Sequence, residues 1–466
     1  MVFSSTIFVF LFLPLVLILY FLMPKKFRNY ILLIFSIIFY IFGGPKFLLV
    51  LLLVVLIDYF GALLIDKKKN KKLFLIITIC LNIATLFYFK YTGFFLENIN
   101  NLFSLNIKIP DIVLPIGISF YTFQAMSYVI DVYRKKVKVQ KNFFTLLLYV
   151  SLFPQLVAGP IVRYETIEKE LTSRETTFDD LVYGIRRFIL GLAKKVIIAN
   201  QMGALADIIF TSNNLSTPIA WLGAFAYTFQ IYFDFSAYSD MAIGLGRIFG
   251  FKFLENFNFP YIAKSVTDFW RRWHISLSTW FRDYVYIPLG GNRKGILRQI
   301  FNLFVVWILT GFWHGAEWNF VIWGLYYFIF LILEKFVLKK ILKKTPSVLL
   351  HIYTMFIVII GWVIFRCDNL NTLTMFFKEL FSFNVTEYGI NELLIYLESY
   401  GVYFILAIIF SFPTYYKIID KIDSINNKKV KLFLDICHYL GLIILFVITI
   451  MFLAKSSYNP FIYFRF

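Results

Sequence analysis

The chain has 466 residues, of which 60% are hydrophobic and 21% are aromatic, including 58 phenylalanines and 30 tyrosines. Charged residues make up only 16% of the chain, below the roughly 25% of soluble domains. This composition excludes disordered, collagen-like and coiled-coil chains, and the long unbroken apolar runs argue against an outer-membrane barrel. We therefore predict an all-α, polytopic membrane protein.

The apolar runs predict about eleven membrane spans of roughly 20 residues each, plus re-entrant or interfacial helices. In chain order the runs cover residues 4–23, 30–42, 47–65, 73–89, 112–132, 143–161, 181–210, 219–231, 301–333, 349–365, 393–412 and 433–453. The run 4–23 has neither a preceding charged region nor a small-residue cleavage site, so we expect it to be retained as the first span. Residues 97–111 are expected to form a polar loop. With no linker or internal repeat, we predict a single domain over residues 1–466, with its motifs within about 112–366.

Positive charge predicts the topology. Lysine and arginine outnumber aspartate and glutamate by 46 to 27, a formal net charge of +19. The cations cluster in loops 24–28, 66–72, 134–138, 335–344 and 417–431. The early clusters occupy every second loop, which predicts that these loops are cytoplasmic and that the N-terminus is outside. The alternative is that the lysines only solvate the loops. Neither interpretation involves nucleic acid.

Cysteine spacing gives no sign of a metal centre. Cys80, Cys367 and Cys437 show neither paired nor zinc-type spacing, so we expect no disulfide framework and no metal site.

The segment 257–295 interrupts the apolar pattern. On a helix, Trp270, Trp273, His274, Leu277 and Phe281 share one continuous face. Because the flanking charged residues are too frequent for a bilayer span, we expect an amphipathic helix in the membrane interface. Its arginine pair suits either a phosphate-bearing ligand or lipid anchoring.

The segment 300–333 is too long for one straight crossing. As a helix it would extend about 51 Å, against a hydrocarbon core of about 30 Å. We predict a break within residues 311–315, which places His314 inside the membrane. An intramembrane ionisable residue is a candidate functional site.

Histidines are the remaining candidates for a catalytic role. The chain lacks a Gly-x-Ser-x-Gly elbow, a phosphate-binding glycine loop and a His-Glu-x-x-His motif. Of the four histidines, His351 and His438 lie near predicted span ends, where interface packing is expected. His274 and His314 lie among tryptophans and polar residues. They are either a cofactor-free acid–base or acyl-transfer site, or hydrogen-bonded histidines of a helix bundle.

Seven stretches of this sequence resemble the membrane-bound O-acyltransferases, in particular the bacterial alginate O-acetylases and their relatives. These stretches are residues 120–128 (FYTFQAMSY), 131–134 (DVYR), 153–161 (FPQLVAGPI), 232–242 (YFDFSAYSDMA), 268–278 (DFWRRWHISLS), 311–315 (GFWHG) and 459–466 (NPFIYFRF). Each motif alone is weak, but together they extend over nearly the whole chain.

The resemblance implies a funnel of about eleven helices around a central site with a thin partition. It implies that His314 is the essential histidine and that His274 is the second polar site residue. It also implies a bacterial cytoplasmic membrane protein that receives an acyl group from a cytoplasmic thioester, acetyl-coenzyme A or an acyl carrier, and delivers it to the outer side. No permanently bound cofactor is expected.

We assign roles on that basis as hypotheses. His314 acts as general base on an acceptor hydroxyl or briefly carries the acetyl group. His274 orients the thioester or polarises its carbonyl. The remaining candidates for binding the donor or supporting the site are Arg271, Arg272, Trp273, Gln124, Asp240 and Asn319.

The predicted function is O-acetylation of an extracytoplasmic cell-envelope or secreted polysaccharide. Relatives commonly hand the acetyl group to an extracytoplasmic transferase of the SGNH-hydrolase type, which we expect as a partner besides membrane lipids. The alternatives are a D-alanyl transferase for teichoic acids with a carrier-protein donor, and a lipid or polysaccharide flippase that performs no chemistry.

Overall fold

α-Helices make up nearly all regular structure of the protein. The computed structural model describes residues 1–157, 159–212, 214–455 and 458–462, and within these residues it contains no β-strand. Ala158 and residues 463–466, which belong to the motifs above, lie outside the described residues. The all-α prediction is confirmed.

The α-helices are numbered in chain order. The first eleven are α1 (Leu13–Leu22), α2 (Arg28–Ile41), α3 (Phe47–Lys67), α4 (Lys71–Lys90), α5 (Thr92–Phe103), α6 (Ile118–Tyr133), α7 (Phe143–Ser151), α8 (Phe153–Leu156), α9 (Tyr164–Thr172), α10 (Phe178–Ala193) and α11 (Asn200–Phe210). The others are α12 (Thr217–Ile248), α13 (Val266–Arg272), α14 (Ile275–Phe281), α15 (Ile296–His314), α16 (Trp318–Ile332), α17 (Lys339–Lys344), α18 (Ser347–Arg366), α19 (Leu370–Phe381), α20 (Glu387–Phe410), α21 (Thr414–Asp423) and α22 (Lys428–Lys455).

The remaining helical elements are short π-helical and 3-10 segments. The π-helical segments are Phe8–Phe12, Lys194–Ala199, Arg282–Tyr286 and Leu333–Val337, and the 3-10 turns are Lys25–Phe27 and Pro260–Ile262. Two of the π-helical segments, Arg282–Tyr286 and Leu333–Val337, adjoin the candidate site described below.

Eight helical segments in the described part of the chain are long and apolar enough to cross a membrane. They are Phe47–Lys67, Lys71–Lys90, Phe178–Phe210, Ile296–His314, Trp318–Val337, Ser347–Arg366, Glu387–Phe410 and Lys428–Lys455. The first apolar run forms the shorter helix Phe8–Leu22, and the run from residue 143 forms a helix that ends at Ser151. The expected polar loop 97–111 is partly helical, because α5 continues to Phe103. The chain is a multi-pass membrane protein.

The described chain divides into two compact units. The first comprises Met1–Phe188 with Met241–Leu254, and the second comprises Ile189–Asp240 with Glu255–Phe466. In the first unit α3 packs against α4 and α6. Gly61 permits the α3–α4 contact, since a Cβ there would lie 2.2 Å from Thr78 Oγ1. The buried Asp58 accepts a hydrogen bond from Asn82 Nδ2 at 3.0 Å.

In the second unit, α15 and α16 form an antiparallel hairpin. Helix α15 ends at His314, Gly315 is extended, and α16 begins at Trp318. The helix break predicted at residues 311–315 is therefore confirmed. The two backbones nearly touch at two glycines. A Cβ on Gly311 would lie 2.4 Å from the Phe320 carbonyl oxygen, and one on Gly324 would lie 2.5 Å from that of Trp307. Small residues permit such close packing of membrane helices.

The single amphipathic helix expected through residues 270–281 is wrong. The chain breaks at Trp273 and His274 into two short helices, α13 and α14. His274 adopts a left-handed conformation with φ 44° and ψ 55°, which is uncommon for any residue but glycine. The apolar pattern is still satisfied, since all five residues of the expected face are buried.

Candidate active site

A cavity of about 240 Å³ runs along one face of α15. We call it the arginine-lined cavity. From α15 it is lined by Leu303, Val306, Trp307, Thr310 and His314. This spacing follows one helix face over about 16 Å. From α13, α14 and the residues beside them, it is lined by Thr267, Trp270, Arg271, His274, Leu277, Ser278, Phe281, Arg282 and Tyr286. Both catalytic candidates, His274 and His314, therefore line the same cavity.

His314 sits at the apex of the α15–α16 hairpin with only 3% of its surface exposed. Its imidazole meets the rings of Trp313, Trp323 and Phe365 edge-on, at centroid distances of 5.0, 5.0 and 5.1 Å. Trp313 also contacts His274, at 5.6 Å between ring centroids. The aromatic rings restrict how the imidazole of His314 can turn.

Asn256 holds His274 in its left-handed conformation. The Asn256 carbonyl accepts the backbone N–H of Ile275 at 2.9 Å. Asn256 Oδ1 accepts the N–H of Ser276 at 3.1 Å and lies 3.2 Å from His274 Nδ1. Because a backbone N–H only donates, this side-chain atom is an acceptor and His274 Nδ1 must carry the proton. The Nε2 atom of the neutral ring then bears a lone pair.

Burial keeps His274 neutral. His274 lies outside the eight spanning helices, and desolvation lowers the pKa of its imidazole to about 3. A neutral ring protonated at Nδ1 accepts hydrogen bonds at Nε2 but cannot donate them there. Polarisation of a carbonyl by Nε2 of His274 therefore does not fit the geometry, whereas orientation of a donor through an accepted hydrogen bond does.

The neutral state of His274 predicts a pH-dependent stability. The unfolded chain binds a proton near pH 6.5, whereas the folded protein does so only near pH 3. Stability is therefore complete above pH 6.5 and declines as the pH falls towards 3. Between pH 7 and pH 5 we expect His274 alone to remove about 2 kcal/mol from the free energy of unfolding.

Thermal unfolding in detergent at both pH values checks this expectation. The His274→Gln variant should lose less stability on acidification than the wild type. His351→Gln, at a half-buried histidine of α18, controls for loss of a histidine elsewhere. Equal acid sensitivity of wild type and His274→Gln would contradict a neutral, buried His274.

Glu334 fixes α13 and thereby places Arg271. Its carboxylate, 6% exposed, accepts the backbone N–H groups of Val266 and Thr267 at 2.7 and 3.0 Å. These N–H groups lie at the helix N-terminus and have no acceptor within the helix itself. The helix dipole also favours a negative charge at this end. Ser265 adds a side-chain cap to Asp268 N at 2.9 Å. Sequence reasoning missed Glu334, since it lies in the distant π-helical extension of α16.

The structure separates the three arginines of this region. Arg271 and Arg282 line the cavity and are exposed. Arg272 instead bonds Asp268 Oδ1 at 3.0 Å and the Asn258 carbonyl at 3.2 Å, away from the cavity lining. The sequence pattern groups Arg272 with Arg271 and does not select Arg282, whose guanidinium pairs with Asp283 at 2.7 Å.

Trp273 belongs to an aromatic cluster and does not line the cavity. It is 1% exposed and contacts the rings of Trp362 and Phe269, at centroid distances of 4.7 and 5.6 Å. This position places Trp273 behind the cavity wall, and its role in binding the donor or supporting the site stays a prediction.

A second, larger cavity is lined in part by Phe365, whose ring contacts His314. It measures about 420 Å³ and we call it the polar cavity. Its lining residues are Asp207, Tyr227, Gln230, Glu317, Asn319, Phe320, Phe365, Arg366, Cys367, Asp368 and residues 460–462. Asn319, a candidate from the sequence, lines this cavity and donates to the Cys367 carbonyl at 2.8 Å.

The other two candidates lie elsewhere. Asp240 forms an ion pair with Lys194 at 2.7 Å and does not line either cavity described above. Gln124 belongs to the first unit, where it is buried and donates to the Tyr149 carbonyl at 2.9 Å. Their roles in binding or catalysis stay predictions.

The two remaining histidines have packing partners. His351 Nδ1 lies 3.2 Å from the Ala263 carbonyl, and His438 Nε2 lies 2.8 Å from the Tyr415 hydroxyl. Among the described residues, no three His, Cys, Asp or Glu side chains gather where they could hold a metal ion.

Comparison with known proteins decides the family. Residues 136–377 match the model of the membrane-bound O-acyltransferase family. The chain belongs to this family. A Pseudomonas putida protein named "Probable alginate O-acetylase AlgI" is 38% identical over 100% of both chains. A peptidoglycan O-acetyltransferase of Helicobacter pylori is 34% identical, over 82% of this chain and 80% of that protein.

A more distant relative bears on the alternatives. A teichoic acid D-alanyltransferase of Bacillus subtilis is 31% identical over 54% of this chain and 68% of its own length. The family and all three relatives are acyltransferases, so the protein is a multi-pass membrane acyltransferase. The alternative of a flippase that performs no chemistry is wrong.

Proposed function

We propose that this acyltransferase moves an acetyl group from a cytoplasmic thioester, such as acetyl-coenzyme A, for O-acetylation of an extracytoplasmic polysaccharide. The observation that carries the proposal is the position of His314. It lines the arginine-lined cavity, and its contact with the ring of Phe365 brings it next to the wall of the polar cavity. Donor and acceptor can therefore approach one histidine from two sides.

Helix connectivity supports opposite access for the two substrates. Helices α16 and α18 both have one end at the polar cavity, at Asn319 and Arg366. Their other ends flank the basic loop 335–344, and Leu331, near that end of α16, lines the arginine-lined cavity. Because basic loops are cytoplasmic, the arginine-lined cavity is proposed to face the cytoplasm and the polar cavity the outside. The same rule, applied to the basic loops 24–28, 66–72 and 134–138, places the N-terminus outside.

Charge supports the same assignment. The arginine-lined cavity has the guanidinium groups of Arg271 and Arg282 above a largely apolar wall, which suits a phosphate-bearing thioester with an uncharged arm. The polar cavity contains Asp207, Glu317 and Asp368 against Arg366. This acidic excess disfavours a phosphate group, whereas carboxylates and amides hydrogen-bond sugar hydroxyls.

The chemistry is assigned to His314. Acting as a general base, its imidazole takes the proton of the acceptor hydroxyl while the oxygen forms the ester bond and the carbon–sulfur bond breaks. The departing thiolate then receives a proton. His274 accepts a hydrogen bond at Nε2 and orients the donor. Direct attack by His314, with a transient acetyl-imidazole, is the other route through the same residue.

The relatives support the acceptor class. The proteins from Pseudomonas putida and Helicobacter pylori are named for O-acetylation of alginate and peptidoglycan. Both align over most of this chain, whereas the D-alanyltransferase aligns over 54% of it. We therefore propose a polysaccharide of the bacterial cell envelope as the final acceptor. An SGNH-type transferase outside the cytoplasmic membrane is the proposed partner.

Transfer of labelled acetyl tests the function. Inverted membrane vesicles containing the protein and its envelope glycan receive acetyl-coenzyme A with a labelled acetyl group. We expect ester-bound label on the glycan, and none from labelled D-alanine supplied with its carrier protein. Label from D-alanine alone would contradict the proposal in favour of the D-alanyl transferase.

Donor recognition has a matched pair of variants. Arg271→Gln removes a guanidinium from the cavity, and loss of one charge-assisted hydrogen bond to phosphate should raise the KM for the donor about tenfold. Arg272→Gln removes an equal charge one residue away, from a side chain that bonds Asp268, and should leave the KM nearly unchanged. Steady-state kinetics with varied donor measure both, and equal effects would contradict donor binding in the arginine-lined cavity.

A further inference from the structure

Residues 458–462 form part of the wall of the polar cavity. Pro460, Phe461 and Ile462 line it together with Arg366 and Asn319. We call residues 458–462 the strap. The strap follows α22, the last α-helix, and its residues 458–461 have no regular secondary structure. The contacts that hold the strap therefore fix part of the wall of this cavity.

A buried ion pair holds the strap through its backbone. Lys195 Nζ lies 2.6 Å from Asp234 Oδ1, and the two side chains are only 4% and 1% exposed. The Lys195 ammonium also donates to the Pro460 carbonyl. The other carboxylate oxygen of Asp234 accepts the backbone N–H of Ile462 at 2.8 Å. Each ion thus has a second partner in the strap.

Side-chain contacts add to this anchoring. The Phe461 ring stacks on Tyr238 at 4.9 Å between centroids. The Tyr458 hydroxyl donates to Asp207 Oδ2 at 2.6 Å, and Asp207 Oδ1 pairs with Arg366 at 2.8 Å. Through Asp207 the strap therefore also touches the arginine of the polar cavity.

The free-energy cost of burying two charges suggests that this ion pair has a role other than stabilising the fold. A buried ion pair contributes little net stability compared with apolar residues of the same size. This pair stands at the junction of the π-helical segment Lys194–Ala199, α12 and the strap. Its directional bonds fix the strap backbone at two positions two residues apart, which apolar contacts alone would not do.

We propose that Lys195 and Asp234 are positioning residues that hold the strap as a wall of the acceptor site. The inference rests on the proposed function in one respect, the assignment of the polar cavity to the acceptor. Loosening the strap is then expected to impair the acceptor side of the reaction and to spare the donor side at Arg271.

Thiol labelling tests the anchoring without any assay of transfer. Ile462→Cys is introduced into a protein whose Cys80, Cys367 and Cys437 are replaced by serine. Since Ile462 is 7% exposed, a water-soluble maleimide should label the introduced thiol slowly. Lys195→Met or Asp234→Asn leaves one buried charge without its ion partner, so either should accelerate labelling at least about tenfold. The double variant buries no charge and should fold even if a single variant does not, with an intermediate labelling rate.

An exposed ion pair gives the control. Lys431→Met disrupts the surface pair with Asp423, at 3.1 Å, and should leave the labelling rate unchanged. Labelling of the introduced thiol that is equally slow in the double variant and in the parent would overturn the anchoring by this pair.

Kinetics then test the positioning role separately. In the Lys195→Met/Asp234→Asn variant the KM for acceptor should rise about tenfold, with hydrolysis of the donor thioester changed less than about twofold. Loosened labelling with an unchanged acceptor KM would overturn the role of the strap in the acceptor site. Absence of transfer already in the parent protein would instead contradict the proposed function.

Discussion

His314→Ala is expected to lower acyl transfer by about 10² to 10⁴-fold, the usual contribution of a positioned general acid–base group. The imidazole belongs to a residue that lines the arginine-lined cavity, and it contacts Phe365 in the wall of the polar cavity. Its removal should therefore slow the reaction by this factor while donor binding at Arg271 and Arg282 persists. Transfer of labelled acetyl and equilibrium binding of the donor measure the two effects.

His438→Ala is the matched control. His438 bonds the Tyr415 hydroxyl, so its loss should leave transfer within about threefold of the wild type, as for substitutions away from a site. Near wild-type transfer by His314→Ala would contradict the assigned chemistry. Label that stays on wild-type protein when acceptor is withheld, and is absent from His314→Ala, would select the acetyl-imidazole route over general base catalysis.

Gly324→Leu is expected to abolish the folded, active protein. Already a Cβ at this position would lie 2.5 Å from the Trp307 carbonyl oxygen, so a larger side chain must force α15 and α16 apart. The clashing atom belongs to the backbone of α15, which cannot move aside as a flexible side chain can. Displacement of α15 also moves His314, its last residue. We expect loss of a monodisperse peak in size-exclusion chromatography, or a sharply lowered Tm with transfer reduced at least about a hundredfold.

Gly401→Leu separates this effect from the loss of any glycine in a membrane helix. Gly401 lies in α20, and a Cβ there would meet no atom within 4 Å. That variant should fold and transfer acetyl normally. A Gly324→Leu protein as stable as Gly401→Leu would contradict the close packing of the hairpin.

Part of the site could be predicted from the sequence, because the length of one apolar segment exceeds the thickness of a bilayer. A run of 34 residues cannot cross a bilayer as one straight helix, so the break beside His314 is predictable from residues 300–333. The hydrophobic pattern also selects the correct buried residues around His274. Family motifs then point to these two histidines, and both line one cavity.

The rest depends on contacts distant in sequence. The helical face through Trp270 and His274 assumes an unbroken helix, whereas Asn256 bonds the backbone N–H groups of Ile275 and Ser276 just after a break there. Glu334, far along the chain, determines where α13 begins and hence which of its arginines reaches the cavity. The anchoring of the strap joins Lys195 and Asp234 to residues more than 200 positions later. No local pattern signals such pairings.

A structure of the protein with a non-hydrolysable acetyl-coenzyme A analogue tests the central claim most directly. That claim is that the donor enters the arginine-lined cavity and presents its acyl carbon to His314. We expect the phosphates beside Arg271 and Arg282, and the acyl group within reach of the His314 ring, about 3 to 3.5 Å. Phosphates in the polar cavity, or an acyl group distant from His314, would contradict this claim.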